Sequence, residues 1–172
     1  MQNNQAREVT RINTPEYGFF EVDLDQRVVI PPSEYRDFLS LEQEHQAETI
    51  YFEAPRYFDE VDLTTTTIII EYINAEDEAR IYPAVLQDWT SNPGFIRFAW
   101  VLGHEATKTA GTIKFSIRFY SVDQNQKIFT YSLQTQPYQG RIAFGMRDSD
   151  GDPVNAFENY DYSSEVITAL TQ

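Results

Sequence analysis

The 172-residue sequence contains no cysteine, which excludes disulfides, thiolate nucleophiles and thiolate metal sites. Histidine is nearly as scarce: only His45 and His104 occur, and neither lies in a motif such as H-E-x-x-H. There is no G-x-S-x-G elbow, phosphate-binding loop or dinucleotide fingerprint. With 7 glycines the chain is neither collagenous nor a low-complexity linker. Basic residues are also short, 13 Lys and Arg against 27 Asp and Glu, for a formal net charge of −14. A nucleic-acid partner needs Lys and Arg to displace phosphate counterions, and an anionic membrane attracts cations, so neither partner is expected. No apolar run approaches the length of a membrane span. Residues 1–11 (MQNNQAREVTR) lack the apolar core of a secretion signal, so synthesis in a cytoplasm without a secretion address is expected.

What the chain has in quantity is aromatic side chains, 11 Tyr and 12 Phe among them, far more than a disordered chain carries. They fall in a period-two pattern. Ile113, Phe115, Ile117 and Phe119 alternate with Lys114, Ser116, Arg118 and Tyr120, as in an antiparallel strand with one wet face. Residues 95–101 and 49–54 repeat the pattern, and residues 66–73 are β-branched enough to be buried on both faces. Further strands are expected at 17–22, 27–31, 80–85 and 127–135. Turns are expected at 23–26, 74–79, 123–126 and at Ser91-Asn92-Pro93-Gly94, where Pro fixes one φ and Gly supplies a positive one.

Short strands at this spacing predict an all-β fold, an antiparallel, jelly-roll-like β-sandwich. Helix is expected only in short pieces: at 34–41 capped by Ser33, as one turn over 104–110, and in a C-terminal tail after Ser163-Ser164. The chain then divides into a flexible arm (1–15), a sandwich domain (16–145), and a linker with a short C-terminal helix (146–172).

Catalytic chemistry finds no support, and no enzyme is expected. The 27 acids make chance carboxylate pairs inevitable, so no glycosidase pair can be selected. Both histidines are expected to be structural, His45 in the solvated loop EQEHQAE and His104 at a strand end. No cofactor is expected. The single metal-like string is Asp148-Ser149-Asp150-Gly151-Asp152, where Asp148, Asp150 and Asp152 could converge on calcium, although the spacing and closing Glu of an EF-hand are missing. For recognition, Arg56, Tyr57 and Phe58 combine a guanidinium with two aromatics, a set enriched at protein interfaces. Trp89, ahead of the 91–94 turn, is the aromatic expected to be exposed for a glycan. Val166, Ile167 and Leu170 share one helical face that could meet a partner.

Four strings give a more specific pointer: ETIYFEAPRYFDEVDL (48–63), EYINAEDEARIYP (71–83), FAWVLGHEATKTAGTIKFSIRFYSVD (98–123) and YSLQTQPYQGRI (131–142). In their order and spacing they resemble the N-terminal domain of upper baseplate-type structural proteins of tailed phages that infect Gram-positive bacteria. The likeness covers about residues 20–145. It implies a β-sandwich attachment module in a virion, bound to other virion structural proteins and repeated as a homo-oligomer in a symmetric assembly. That family carries no catalytic residues to transfer. Its sandwich is usually followed by a fibrous or helical region with a receptor-binding part. A chain stopping at Gln172 is expected to keep the anchor and not the fibre. A tail-tip or baseplate role is the first expectation. A capsid decoration or head-appendage role, or a carbohydrate-binding module for host glycans, is the alternative.

Overall fold

The computed structural model describes residues 18–87 and 93–154. Along the chain run β1 (Phe20–Asp23), β2 (Val28–Ile30), β3 (Ser40–Leu41), β4 (Thr49–Pro55), β5 (Tyr57–Phe58), β6 (Val61–Asp62), β7 (Thr67–Ile73), β8 (Ala79–Pro83), β9 (Val85–Leu86) and β10 (Phe95–Val101). A single helical turn, α1 (His104–Thr107), precedes β11 (Gly111–Asp123), β12 (Ile128–Gln134) and β13 (Tyr138–Ala143). One sheet has the order β2-β1-β4-β10-β9, and the other β3-β13-β11-β7-β8 with β12 also on β11. The fold is an all-β sandwich, as the alternation predicts.

The core lies between these sheets, and the alternation explains why. In β11, Ile113, Phe115, Ile117 and Phe119 are buried while Lys114 is exposed. In β10, Ile96, Phe98 and Trp100 turn inward. Aromatic rings join the layers. Phe115 of the second sheet sits 5.8 Å from Phe52 and 5.2 Å from Trp100 of the first, and Phe98 meets Phe119 edge-on at 5.9 Å. Such pairs add about 0.5–1.5 kcal/mol each beyond the area they bury. In β7, Ile69 is buried although its register partner is the outward Arg118, whereas Ile73 is exposed. Burial on both faces therefore holds for only part of that strand.

Two corrections concern strand direction and helix. The sandwich is not purely antiparallel: β1 pairs parallel with β4, and β3 parallel with β13. Parallel neighbours need a connection of a dozen or more residues, and residues 24–48, which carry β2 and β3, supply it between β1 and β4. The helix expected over 34–41 is only a 3₁₀ turn at Ser33–Tyr35. The Ser33 hydroxyl donates to the Glu34 carboxylate and makes no cap, and extended Pro32 occupies the capping position. Leu39 N–H then donates to Arg141 O at 2.8 Å, and Ser40 enters the sheet as β3. The turn at α1 lies within the expected segment, whereas the C-terminal helix lies outside the described residues.

The strand expected over 80–85 divides at Ala84, where the chain passes from the edge of one sheet (β8) to the edge of the other (β9). β13 was not foreseen, because Gly140 interrupts its apolar pattern. A Cβ on Gly140 would lie 2.7 Å from Leu39 Cδ1, so the missing side chain makes room for a buried leucine. Pro137 cannot donate to the ladder, and Thr135 spans the break beside it. Its N–H donates to Ile117 O and its hydroxyl accepts from Ile117 N–H, both at 3.0 Å.

Candidate functional site

The three interface residues picked from sequence separate in the structure. Arg56 forms a two-point pair with Asp62, Nε to Oδ1 at 3.2 Å and Nη2 to Oδ2 at 3.0 Å. This pair holds the Asp62 carboxyl at about 2, well below its ordinary value, and raises Arg56. The Arg56 guanidinium lies 5.1 Å from the Tyr57 ring centre. Phe58 packs against the core under the Arg27 guanidinium, 4.5 Å away. Of the three, only the Tyr57 ring is left on the surface. The hairpin that carries them turns on Asp59 and Glu60, both with positive φ, the backbone of a two-residue hairpin loop.

Asp148 closes a small loop: its Oδ1 accepts the N–H groups of Asp150 at 2.9 Å and Asp152 at 3.0 Å. That oxygen is committed to backbone, and among the described residues no group of three His, Cys, Asp or Glu is placed to hold a metal. The same segment is tied down by its neighbour. Arg147 makes a two-point pair with Glu42 at 3.1 and 2.7 Å and lies over the Phe144 ring at 4.0 Å. Glu42, placed by sequence in a solvated loop, is buried. Trp89, Val166, Ile167 and Leu170 lie outside the described residues.

Two features were not anticipated. The first is an arm. β7 accompanies β11 only as far as Tyr120, opposite Thr67. Beyond it, Ser121, Val122 and Asp123 pair only with β12, across a bulge at Ser121/Val122. The two-stranded end exposes Val122 (45%), Ile128 (53%) and Phe129 (54%). Phe129 is held in place: Tyr120 meets it edge-on at 5.6 Å, and the Arg118 guanidinium lies 5.4 Å from its centre. Arg118 is fixed in turn by an ion pair with Glu71 and by bonds of 2.7 Å to both Ser132 Oγ and Gln134 Oε1. The signal in the sequence was the loss of alternation at Ser121-Val122.

The second is a pocket of about 530 Å3 at one end of the sandwich, lined by His45, Gln46, Tyr72, Tyr82, Trp100, Val101, Gly103, His104 and Glu105. It collects both histidines of the chain. His45 Nδ1 accepts the His104 backbone N–H at 2.9 Å, so the proton of the neutral ring sits on Nε2. Backbone bonds from Gln43 to Thr107, from Gln46 to Leu102 and from Leu102 to Glu48 bind this loop to α1. Buried Asn74 fixes the other rim, donating to Glu105 O at 2.9 Å and Glu78 Oε1 at 3.0 Å. That bond, with Lys108, lowers the Glu78 carboxyl to about 2, and Glu78 raises Lys108. Burial, then the Glu105 charge, pushes the Tyr72 phenol up, so it remains a hydroxyl donor. No sequence signal links His45 to His104, because their approach depends on the 43–48 loop folding onto α1.

No family model matches this sequence, and no match was found among curated proteins. Among the described residues no helix is long and apolar enough to cross a membrane.

Proposed function

We propose that this chain is a non-enzymatic structural module of a phage particle, an attachment piece of the tail tip or baseplate that works through protein–protein contact. The arm at the end of β11 and β12 carries the reading. Phe129 and its register partner Val122 share one face of the two-stranded end, and Ile128 is exposed on the other; exposed apolar side chains gathered in this way mark interaction sites. Anchors already ordered before docking lose little entropy on binding. The partner is another protein chain of the particle, and copies repeat around its symmetry axis. The order of the four strings that resemble upper baseplate-type proteins supports the virion setting, and the sandwich is the architecture that resemblance implies. The charge of −14 opposes premature association of free copies.

The test replaces the apolar end as Val122→Ser, Ile128→Thr and Phe129→Ser together. The triple variant should keep the far-UV spectrum of a β protein but drop out of purified particles. Incorporation at the wild-type copy number would remove the arm from the account.

A further inference from the structure

We propose that the pocket of His45, Tyr72, Tyr82, Trp100, His104 and Glu105 binds a neutral saccharide unit. The inference is separate from the assembly reading and does not depend on it. It begins with hydrogen-bonding groups that the fold leaves unused. Among the described residues, the Trp100 indole N–H and the Tyr72 and Tyr82 hydroxyls make no hydrogen bond. Trp100 is 1% and Tyr72 9% exposed. Yet among the described residues no side-chain nitrogen or oxygen is both fully buried and without a partner. The indole N–H is therefore not fully buried, and Trp100 is one of the residues that line the pocket. A tryptophan N–H in a core normally finds an acceptor; here the acceptor would come with the ligand.

The orientation of Trp100 selects the ligand class. Its ring is engaged by Tyr72 at 5.1 Å, tilted 41°, and by Phe115 at 5.2 Å, nearly edge-on. What remains for the pocket is the ring edge with its donor. A quaternary ammonium needs several ring faces around it, and here only the Tyr82 face is left, so a cation cage is not what this arrangement provides. An anion would face Glu105, with Glu76 and Glu78 close behind on Lys108, in a chain with net charge −14. A neutral polyhydroxylated ring meets both conditions. Its oxygens accept from Trp100, the tyrosines and His45 Nε2–H, and its hydroxyls donate to Glu105. Its C–H face can lie on the Tyr82 ring, which is only partly buried. The volume of about 530 Å3 lies within the usual range for small-ligand sites.

The test titrates the full chain carrying Trp89→Phe, so that fluorescence reports Trp100 alone, and saturation-transfer NMR observes the ligand. The probes are methyl β-glucopyranoside, methyl β-galactopyranoside and N-acetylglucosamine, with choline and inorganic phosphate as the cationic and anionic competitors. At least one saccharide should bind in the millimolar range. Tyr82→Ala should weaken it about tenfold or more, Tyr82→Phe should weaken it by a smaller factor with the melting curve retained, and Trp100→Phe should weaken it at the cost of a lower melting temperature. Tyr57→Ala, in a separate hairpin, should change nothing. Absence of binding by all three sugars, binding indifferent to both Tyr82 variants, or preference for choline or phosphate would each overturn the proposal. Tyr82→Phe keeps the test decisive if Trp100→Phe fails to fold. None of these outcomes bears on incorporation into a particle.

Discussion

Phe115 shows how much one position can carry. Its ring meets Phe20, Phe52, Trp100 and Tyr138 with centres 5.2–6.4 Å apart, so it fastens both sheets. Its burial was legible, because period-two alternation needs no knowledge of the partner sheet. The charged residues were not legible in the same way. Glu42 and Arg147 are 105 positions apart, and nothing local marks either as one half of a pair. Asp62 and Glu78 are similar cases with a measurable consequence. Arg56 holds the Asp62 carboxyl at about 2 against an ordinary 3.8, and Asn74 with Lys108 holds Glu78 at about 2 against 4.5. Both values are depressed on folding, so their stabilisation is complete above pH 4.5 and is lost as pH falls towards 2. The thermal midpoint should therefore be flat from neutral pH down to about 5 and fall below 4.5. Asp62→Asn with Glu78→Gln should flatten that fall, and an unchanged acid slope would contradict the assignment. The effect is modest, since both carboxylates are partly exposed and solvent screens them.

Elements were legible where the pattern was long and hidden where a single residue broke it. The hairpins β1–β2 and β11–β12 were expected from turn residues, and the structure shows that they share one loop. In each, an Asp (Asp23 or Asp123) caps the turn through Oδ1 to the N–H three residues on, Gln26 or Gln126. A basic residue, Arg27 or Lys127, then takes positive φ, 62° and 55°. Asp-x-x-Gln-(Arg/Lys) is thus a strand-end Asp followed by a four-residue loop whose last position belongs to glycine by conformation. Left-handed backbone costs an L-residue about 1–2 kcal/mol, partly offset by the greater entropy glycine loses on folding. Lys127→Gly should therefore stabilise the protein by about 0.5–1 kcal/mol in urea unfolding; a loss of stability would show that the lysine side chain makes a compensating contact. β13 was missed for the opposite reason, since Gly140 serves a distant leucine and leaves no apolar signal. The pocket was missed because its donors come from four separate segments of chain.

For the whole molecule, the composition and the structure describe the same surface. Arg56, Arg80, Arg97, Arg118, Arg147 and Lys108 all take part in ion pairs, so much of the scarce positive charge is already committed within the fold. The surplus acid is left to face outward, while the arm offers an apolar contact. On the proposed reading, such a module repels its own copies when free and would dock where a partner covers the arm, more strongly at low salt if that partner is basic. The proposed virion setting rests on the order of four sequence strings together with that arm, and it makes a direct demand. Quantitative mass spectrometry of purified particles, with antibody labelling to place the protein, tests it. The account predicts a fixed copy number that is a multiple of the tail or baseplate symmetry, with label at the tail tip. Particles that assemble fully and contain none of this protein would contradict it.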